Sequence, residues 1–233
     1  MKTITTSWDD GSPADLRLAE LLAKYGIQGT FYIPKENAEH AVMTENEMIA
    51  ISRHFEIGGH TLSHKSLGSS SDREMIYEVE GSYNWLNTIL QKPPIAFCLP
   101  YGHYSDRSLE IIYKSGFRYI RTTELLSLSG GPGLSHTTIQ IFRHSRFTYL
   151  KHLMKHGRFK NMALWMRSGC TDDHFRLLDY YLEYIEQQGG CLHLWGHSWE
   201  IEEFSLWERL ELILRHISNR QGFKYVQNGE LTA

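Results

Sequence analysis

Two adjacent aspartates near the start of the chain are the first residues that could do chemistry. Asp9 and Asp10 lie in the segment SWDDGSP, residues 7–13, directly after a strand-like stretch. Neighbouring side chains at the end of a strand point to opposite sides, so one carboxylate can bind a metal while the other transfers protons. The competing interpretation is a plain turn in which an aspartate caps the next helix.

Two histidines four residues apart, His60 and His64, are the second feature. On a helical turn this spacing brings both imidazoles to one side, where they can reach one ion. The competing interpretation is a pair of histidines on the surface or at a helix cap, which can have the same spacing. Two histidines and one carboxylate form a three-ligand set that leaves room for water and substrate, as hydrolytic metal sites require. A divalent metal is therefore expected. Zinc, cobalt, nickel and iron(II) all accept these ligands, so the ligand types alone do not choose among them.

Strand-like segments alternate with helical ones, which favours a mainly parallel α/β sheet covered by helices. Strands are predicted at residues 3–8, 29–33, 55–58, 95–98, 117–120, 138–142, 191–195 and 223–226, and helices at residues 14–25, 45–54, 72–90, 106–115, 171–188 and 205–220. Residues 126–171 are otherwise hard to interpret. There, His144, His152 and His156 lie in a basic stretch that we expect to be a solvated face without a role. Periodicity leaves an open sheet and a closed barrel as alternatives.

The polar residues follow the predicted strands at comparable positions. The aspartate pair, the histidine pair, the segment Pro100–Gly102 and His197 each come just after a predicted strand. Active sites of parallel α/β folds lie beyond the carboxyl ends of the strands. We therefore expect these residues to meet on one face of the protein.

The composition is that of an ordinary globular protein. With 233 residues, 41% of them hydrophobic, we expect one catalytic domain spanning residues 1–233. A net charge of -3 with scattered Lys and Arg offers no basic stripe for nucleic acid. The absence of an 18-residue apolar span and of a signal-peptide-like start, together with three widely spaced cysteines, favours a cytoplasmic protein, with a removed leader as the alternative. The oligomeric state stays open.

Three ordered segments resemble the first three motifs of the polysaccharide deacetylase family, also called carbohydrate esterase family four (CE4). They are SWDDGSP at residues 7–13, HTLSH at 60–64 and FCLPYG at 97–102. The connecting segments 29–33 and 116–123 are also similar to the family. The resemblance covers roughly residues 3–123 and thins beyond them.

The resemblance implies an irregular (β/α)7-type barrel with the site in a groove at the carboxyl ends of the strands. It implies that Asp9 is the general base. The implied metal ligands are Asp10, His60 and His64. Pro100, Tyr101 and Gly102 would form a groove wall, where the backbone N–H of Tyr101 would help to hold the oxyanion.

The third motif departs from the family pattern. The arginine that orients the base in the family is replaced here by Cys98. Arg121 and Arg143 each follow a predicted strand, so either guanidinium is a candidate to orient Asp9, while a surface position is the alternative for both.

The late motif also departs, because the family strand that ends in Leu-x-His-Asp is matched ambiguously by residues 192–200. His197 lies nearer the carboxyl end of the strand, so we choose it as the acid that protonates the leaving group, with His193 as second choice. Trp195 is expected to bind substrate, since Trp195, Trp199 and Trp207 could form a sugar-stacking surface. Packing in the core is the competing interpretation for these tryptophans.

These features predict a metal-dependent hydrolase that removes an acyl group, acetyl above all, from nitrogen or oxygen of a carbohydrate. Two alternatives remain open at this stage. One is an enzyme of the same fold that acts on a non-sugar amide, such as a ureide or a formyl amide. The other is a catalytically inactive, carbohydrate-binding relative.

Overall fold

Within residues 1–232, which the computed structural model describes, nine strands form one sheet in which every pairing is parallel. The strands are β1 (Lys2–Asp9), β2 (Gly29–Ile33), β3 (Glu56–Gly59), β4 (Ala96–Cys98), β5 (Tyr119–Arg121), β6 (Gly133–Ser135), β7 (Ile139–Gln140), β8 (Gly190–His197) and β9 (Lys224–Tyr225). Their order is β6-β5-β4-β3-β2-β1-β8-β7, and β9 also pairs with β1.

The helices lie in the connections between the strands. They are α1 (Asp15–Lys24), α2 (Glu45–Ile51), α3 (Asp72–Leu90), α4 (Asp106–Lys114), α5 (Arg146–Lys155), α6 (Phe159–Arg167), α7 (His174–Gln188), α8 (Ser198–Glu203) and α9 (Trp207–Ile217), with 3-10 turns at Pro100–Gly102 and Asn228–Thr232. The helix α3 begins where a capping box predicts it, because Ser71 and Glu74 exchange side-chain and backbone hydrogen bonds. Within residues 1–232, no helix combines the length and the hydropathy needed to cross a bilayer.

One extended segment, Gly133–Gln140, closes the ring of strands. Its first part, β6, pairs with β5, and its second part, β7, pairs with β8. When β6 and β7 are counted as one strand of the barrel, the barrel contains seven strands, namely β1 to β5, the combined β6–β7 strand and β8. The structure therefore confirms the irregular (β/α)7-type barrel and excludes the open sheet.

The central strand β1 is buried along nearly its whole length. It pairs with β2, β8 and β9, and its side chains Ile4 and Trp8 are fully buried. Strands covered on both faces are expected in a parallel sheet that helices surround. Because all the strands run in the same direction, their carboxyl ends meet at one end of the barrel. That end carries Asp9, Cys98, Arg121 and His197.

The region 126–171 differs most from the prediction. The single strand expected at residues 138–142 is the short strand β7, and the basic stretch that follows it folds into the helices α5 and α6. The helix α5 carries exposed apolar residues, such as Phe147 and Met154, as well as the buried residues Tyr149 and Leu153. Because apolar residues lie on both faces, the sequence alone does not show a clear amphipathic helical pattern.

Candidate active site

A cleft of about 400 Å³ opens at the carboxyl end of the barrel. It is lined by the predicted residues Asp9, Asp10, His60, His64, Tyr101, Trp195 and His197. These residues come from the ends of different strands, as the positions of the polar residues after the predicted strands indicated. Convergence at the carboxyl ends of parallel strands is the usual origin of a site in this class of fold.

The turn after β1 positions the two aspartates. Asp9 is the last residue of β1, whereas Asp10 has a left-handed backbone conformation with φ 76°. Gly11 follows with φ 62°, and a Cβ atom there would lie 2.6 Å from the Ile33 side chain. The tight turn therefore needs a glycine at this position. It directs the Asp10 carboxylate towards the histidine pair.

The two histidines face a single oxygen of Asp10. His60 Nε2 lies 3.4 Å and His64 Nε2 lies 3.1 Å from Asp10 Oδ1. His60 Nδ1 lies 3.0 Å from the carbonyl oxygen of Cys98, which can only accept, so Nδ1 carries the proton and donates it. In the neutral imidazole, His60 Nε2 is then an unprotonated nitrogen that points at the carboxylate.

A helical turn was expected at the histidine pair, and this expectation is wrong. Residues 60–64 form an irregular loop after β3, in which Thr61 has φ 60° and His64 has φ 54°. Thr61 Oγ1 accepts a hydrogen bond from the backbone N–H of Lys65 and stabilises the turn. The two left-handed residues, rather than helical periodicity, bring the imidazoles together.

The buried side chain of Glu78, on α3, holds this loop from behind. Its Oε2 accepts hydrogen bonds from the backbone N–H groups of Leu62 (2.9 Å) and Ser63 (2.8 Å). Its Oε1 accepts a third from the Ser63 hydroxyl at 2.6 Å. Sequence reasoning missed Glu78, since a single glutamate in an amphipathic helix looks like any surface residue.

The Asp10 carboxylate, His60 and His64 fit a divalent cation. Ligand atoms about 2.1 Å from one ion lie roughly 3.0 to 3.4 Å from one another, which matches the separations of both imidazole nitrogens from Asp10 Oδ1. Asp10 Oδ1 is buried and, within residues 1–232, receives no hydrogen bond of acceptable geometry. Its other oxygen accepts one from Trp199 Nε1 at 2.8 Å.

The electrostatics of Asp10 agree with such a site. Burial raises the pKa of the Asp10 carboxyl, but the close contacts with His60 and His64 outweigh burial and bring this pKa far below its usual value. The carboxylate is therefore ionised. An anion in a buried position requires a compensating positive charge, which either a protonated imidazole or a metal ion can supply.

Asp9 is held by a different pair of residues. Its Oδ1 accepts a hydrogen bond from the guanidinium of Arg121, and the thiol of Cys98 lies 3.6 Å from its Oδ2. Arg121 is fully buried, and its guanidinium packs over the rings of Trp195 and Tyr32. Burial lowers the pKa of Arg121, but the charge of Asp9 outweighs this effect and raises it, so the guanidinium stays protonated.

Of the two arginines proposed to orient Asp9, only Arg121 is placed to do so. Arg143 is exposed and lies outside the lining of the cleft, so its candidacy is wrong. Arg121 ends β5, in register with Cys98 at the end of β4. The strand end fixes the Arg121 side chain, whereas Arg143 follows the barrel-closing segment, where the chain turns outward.

Two histidines of β8 occupy different environments. His193 is buried in the barrel, where its Nε2 lies 2.8 Å from Ser7 Oγ. His197 ends the strand and lines the cleft, with its Nδ1 2.6 Å from Glu200 Oε2 and its Nε2 3.9 Å from Asp10 Oδ2. The position at the strand end places His197, not His193, within reach of a ligand in the cleft.

The protonation of these two histidines differs as strongly as their positions. Burial, with Arg121 nearby, brings the pKa of His193 well below its usual value. Burial also lowers the pKa of His197, but the hydrogen bond to Glu200 and the charges of Asp9 and Asp10 outweigh it and raise this pKa. His197 can therefore carry a proton where His193 cannot.

Aromatic side chains form much of the cleft wall. Tyr101 has φ 58° and is half exposed, and its hydroxyl lies 3.1 Å from Glu39 Oε2 and 3.4 Å from His64 Nδ1. Pro100 and Gly102 lie behind Tyr101 and do not line the cleft themselves. Trp199 stacks on His40, with ring centroids 3.9 Å apart, whereas Trp207 lies away from the cleft on α9, where it packs on Arg17.

Two histidines that were expected to be solvated lie at the cleft, His144 just before α5 and His152 within it. His144 and His152 both line the cleft, so that expectation is wrong for them. His144 Nε2 lies 2.9 Å from Gln140 Oε1, and His152 Nε2 accepts a hydrogen bond from the backbone N–H of Leu125. His156 stays outside the cleft lining, next to Glu124. The closure of the barrel by Gly133–Gln140 folds this region over the site, which the sequence did not indicate.

A family model described as polysaccharide deacetylase matches residues 1–120, about half of the sequence. The chain belongs to the polysaccharide deacetylase family. The match covers the segments that carry Asp9, Asp10, His60 and His64, so these positions lie in the part of the chain that defines the family membership. No curated protein matches the sequence.

Solved structures share the fold of this polysaccharide deacetylase family member. A protein from Mycobacterium smegmatis assigned to the polysaccharide deacetylases is 13% identical, with a TM-score of 0.68 over 98% of this chain and 88% of that chain. A CE4 family pseudoenzyme from Bacillus anthracis is 14% identical, with a TM-score of 0.56 over 99% of this chain and 65% of its own. At these identities, the likeness shows the shared fold.

A third structure is the deacetylase PplD from Streptococcus pyogenes. It is 19% identical, with a TM-score of 0.48 over 57% of this chain and 62% of that chain. This family member thus spans less than two thirds of PplD and of the Bacillus anthracis pseudoenzyme.

The contacts of Glu78 predict that Glu78→Gln weakens the histidine loop. Glutamine has one acceptor oxygen and no negative charge, so the charge-assisted hydrogen bonds to the loop become neutral ones and one acceptor atom is lost. We expect a loss of about 1–3 kcal/mol in the free energy of unfolding. Chemical denaturation measures this loss. The exposed Glu80, on the same helix, provides the control Glu80→Gln, and equal stability of the two variants would refute a role for Glu78 in holding the loop.

The contacts of His152 predict a pH-dependent stability. Burial and the nearby His156 lower the pKa of His152 from 6.5 to about 4, so the unfolded chain binds more protons than the folded one between these values. The free energy of unfolding should fall as pH drops through this window. His152→Gln, which keeps an acceptor without titrating, should make the fall in melting temperature shallower, whereas His103→Gln at an exposed position should not.

Proposed function

We propose that the protein is a metal-dependent hydrolase that removes an acyl group, acetyl above all, from nitrogen or oxygen of a carbohydrate. The observation that carries this proposal is the approach of two imidazole nitrogens to one buried carboxylate oxygen, at 3.1 Å and 3.4 Å, in a cleft at the end of the barrel. Membership of the polysaccharide deacetylase family supports the same reaction.

Asp10, His60 and His64 would hold the cation. Two imidazoles and one carboxylate suit zinc, cobalt, nickel or iron(II), with zinc as our first choice. When bound, such an ion lowers the pKa of water and polarises an acyl carbonyl. The hydrogen bond from His60 Nδ1 to the Cys98 carbonyl fixes the ring so that Nε2 is the ligand atom.

Asp9 would act as the general base that takes the proton of the attacking water. It lies beside Asp10 but keeps separate hydrogen-bond partners, Arg121 and Cys98, and it is not one of the three residues that we assign to the cation. Arg121 acts as a positioning residue, because its buried guanidinium fixes one carboxylate oxygen of Asp9. Within the described residues 1–232, the hydrogen-bond contact of the other oxygen is the weak donor of Cys98, which leaves this oxygen able to accept a proton.

His197 would donate the proton that the leaving nitrogen or oxygen needs. Its contact with Glu200 raises its pKa and so favours the protonated form, and its position at the end of β8 directs it into the cleft. The two opposite tasks, proton acceptance and proton donation, thus belong to residues of adjacent strands. Asp9 and His197 are partners in the β1–β8 register.

A carbohydrate suits the walls of the cleft. Tyr101 and Trp199 present aromatic surface, whereas Trp195 lines the wall but is buried under Arg121. Gln140, Thr123 and Thr148 present groups that can bond to hydroxyls. Aromatic faces with a few polar groups are typical of sites for small polar ligands. The backbone N–H of Tyr101 is our candidate to help hold the oxyanion, and we propose that residues 1–233 form one catalytic domain.

The division of tasks between the aspartates predicts different losses in two variants. Asp9→Asn should keep a bound metal and lose at least about a hundredfold in kcat, because the base is gone. Asp10→Asn should lose the metal as well, because one ligand is gone. Metal content is measured by elemental analysis, and hydrolysis is measured on an N-acetylglucosamine oligomer and an O-acetylated sugar, with a cyclic ureide and a formyl amide beside them.

An exposed aspartate of α7, Asp179, provides the control Asp179→Asn, which should retain both metal and turnover. Full activity of Asp9→Asn would refute Asp9 as the base. Turnover of the ureide or the formyl amide but not of the sugars would favour the non-sugar alternative. Absence of turnover on every substrate despite bound metal would favour an inactive relative.

The contact between Glu200 and His197 predicts a shift in the pH profile. An acid must be protonated to act, so kcat falls as pH rises through the pKa of His197. Glu200→Gln removes the carboxylate that raises this pKa, so the alkaline fall should begin at a lower pH, while activity at acidic pH changes less. The control Glu203→Gln, at an exposed position on the same helix, should leave the pH profile unchanged. If the alkaline limb of the Glu200→Gln profile did not move, His197 would be excluded as the acid.

A further inference from the structure

The outward faces of α5 and α6 expose large apolar side chains at helical spacing. On α5 they are Phe147, Leu150 and Met154, which are 83%, 38% and 65% exposed. On α6, Phe159 and Met166 are 76% and 55% exposed. A spacing of three and seven residues places each set on one face of its helix. The buried residues Tyr149, Leu153 and Trp165 occupy the opposite faces.

A groove connects part of the exposed row on α5 (Phe147 and Leu150) with Met166 on α6. It has a volume of about 530 Å³ and lies between the two helices. Its apolar lining consists of Phe147, Leu150, Met162, Trp165, Met166 and Cys170. Scattered exposed apolar residues are normal, but a contiguous patch of this kind marks a binding surface.

The same part of the chain is strongly basic. Residues 143–170 contain seven Lys and Arg and no Asp or Glu, in a chain with a net charge of -3. Arg158 pairs with Glu124 and Arg146 approaches Asp172, whereas Lys151, Lys155 and Lys160 make no ion pair within residues 1–232. Lysines without an ion-pair partner in the described residues therefore lie on the same two helices as the apolar patch.

We infer that this α5–α6 face docks on an anionic lipid surface. Exposed aromatic side chains that enter the boundary of the acyl chains, together with lysines that meet acidic headgroups, are the two attractions that hold a protein on a membrane surface. A second copy of the same face is disfavoured, because it would bring two clusters of unpaired cations together. The complementary partner is negatively charged and offers an apolar layer, which describes an anionic bilayer.

Docking in this way would place the cleft at the lipid surface. The helix α5 exposes Phe147 to the patch, while Thr148 and His152 line the cleft. The patch and the mouth of the cleft are therefore neighbours on one helix. This inference is independent of the proposed hydrolysis, because it rests on residues that take no part in the ligand set or in proton transfer.

Sedimentation with vesicles tests the inference. The full chain should bind vesicles of phosphatidylcholine and phosphatidylglycerol in equal parts, and should bind vesicles of phosphatidylcholine alone far more weakly. The double variants Phe147→Ser with Phe159→Ser, and Lys151→Glu with Lys155→Glu, should each weaken binding roughly tenfold or more, and added salt should weaken the binding of the unaltered protein.

Matched variants distinguish this surface from others. Ile76→Ser with Tyr77→Ser removes exposed apolar side chains of α3, and Arg53→Glu with Lys224→Glu reverses two exposed charges elsewhere. Both should bind anionic vesicles like the unaltered protein, and melting curves show that all variants fold. Equal binding to neutral and anionic vesicles would overturn the inference, and so would a lack of binding to either. It would also be overturned if the α5–α6 variants lost a dimer in solution but kept their binding to vesicles.

Discussion

A buried carboxylate oxygen that faces two imidazole nitrogens is the constraint around which the carboxyl end of this barrel is organised. Such an oxygen cannot stay uncompensated in a low-dielectric interior, so the site must hold positive charge at this point. Many of the local features serve that requirement. The left-handed turn positions the Asp10 carboxylate, and the irregular loop held by Glu78 positions the two imidazoles. The carbonyl of Cys98 orients His60, so that lone pairs of these ligand atoms point at the same position.

The barrel supplies the precision that the site needs. Because the strands pair in register, their last residues lie at the same end of the barrel. Asp9, His197 and Arg121 are therefore close together although long stretches of sequence separate them. Residues fixed at strand ends keep their geometry better than residues on long loops. The residues that come from loops, such as His64 and Tyr101, are instead held by specific side-chain contacts.

The first half of the chain could be interpreted from its sequence far better than the second. Alternating strands and helices, with acidic and histidine residues after the strands, predicted a parallel α/β sheet and the grouping at its carboxyl end. The choice of a barrel over an open sheet came from the resemblance to the polysaccharide deacetylase family. The loop conformation of residues 60–64 was missed, because two histidines four residues apart fit a helix equally well. The entry of His144 and His152 into the cleft depends on the barrel-closing segment, and such long-range closure leaves no local periodic pattern.

The neighbouring positions of Cys98 and Arg121 have a wider consequence. The family pattern has its arginine in the third motif, on β4, whereas here the guanidinium that contacts Asp9 lies on the next strand, in register with Cys98. The requirement is a positive charge beside the Asp9 carboxylate, and a residue at the end of either of two adjacent strands can supply it. A sequence that lacks the expected arginine should therefore not be classed as inactive until the facing residue of the neighbouring strand has been inspected.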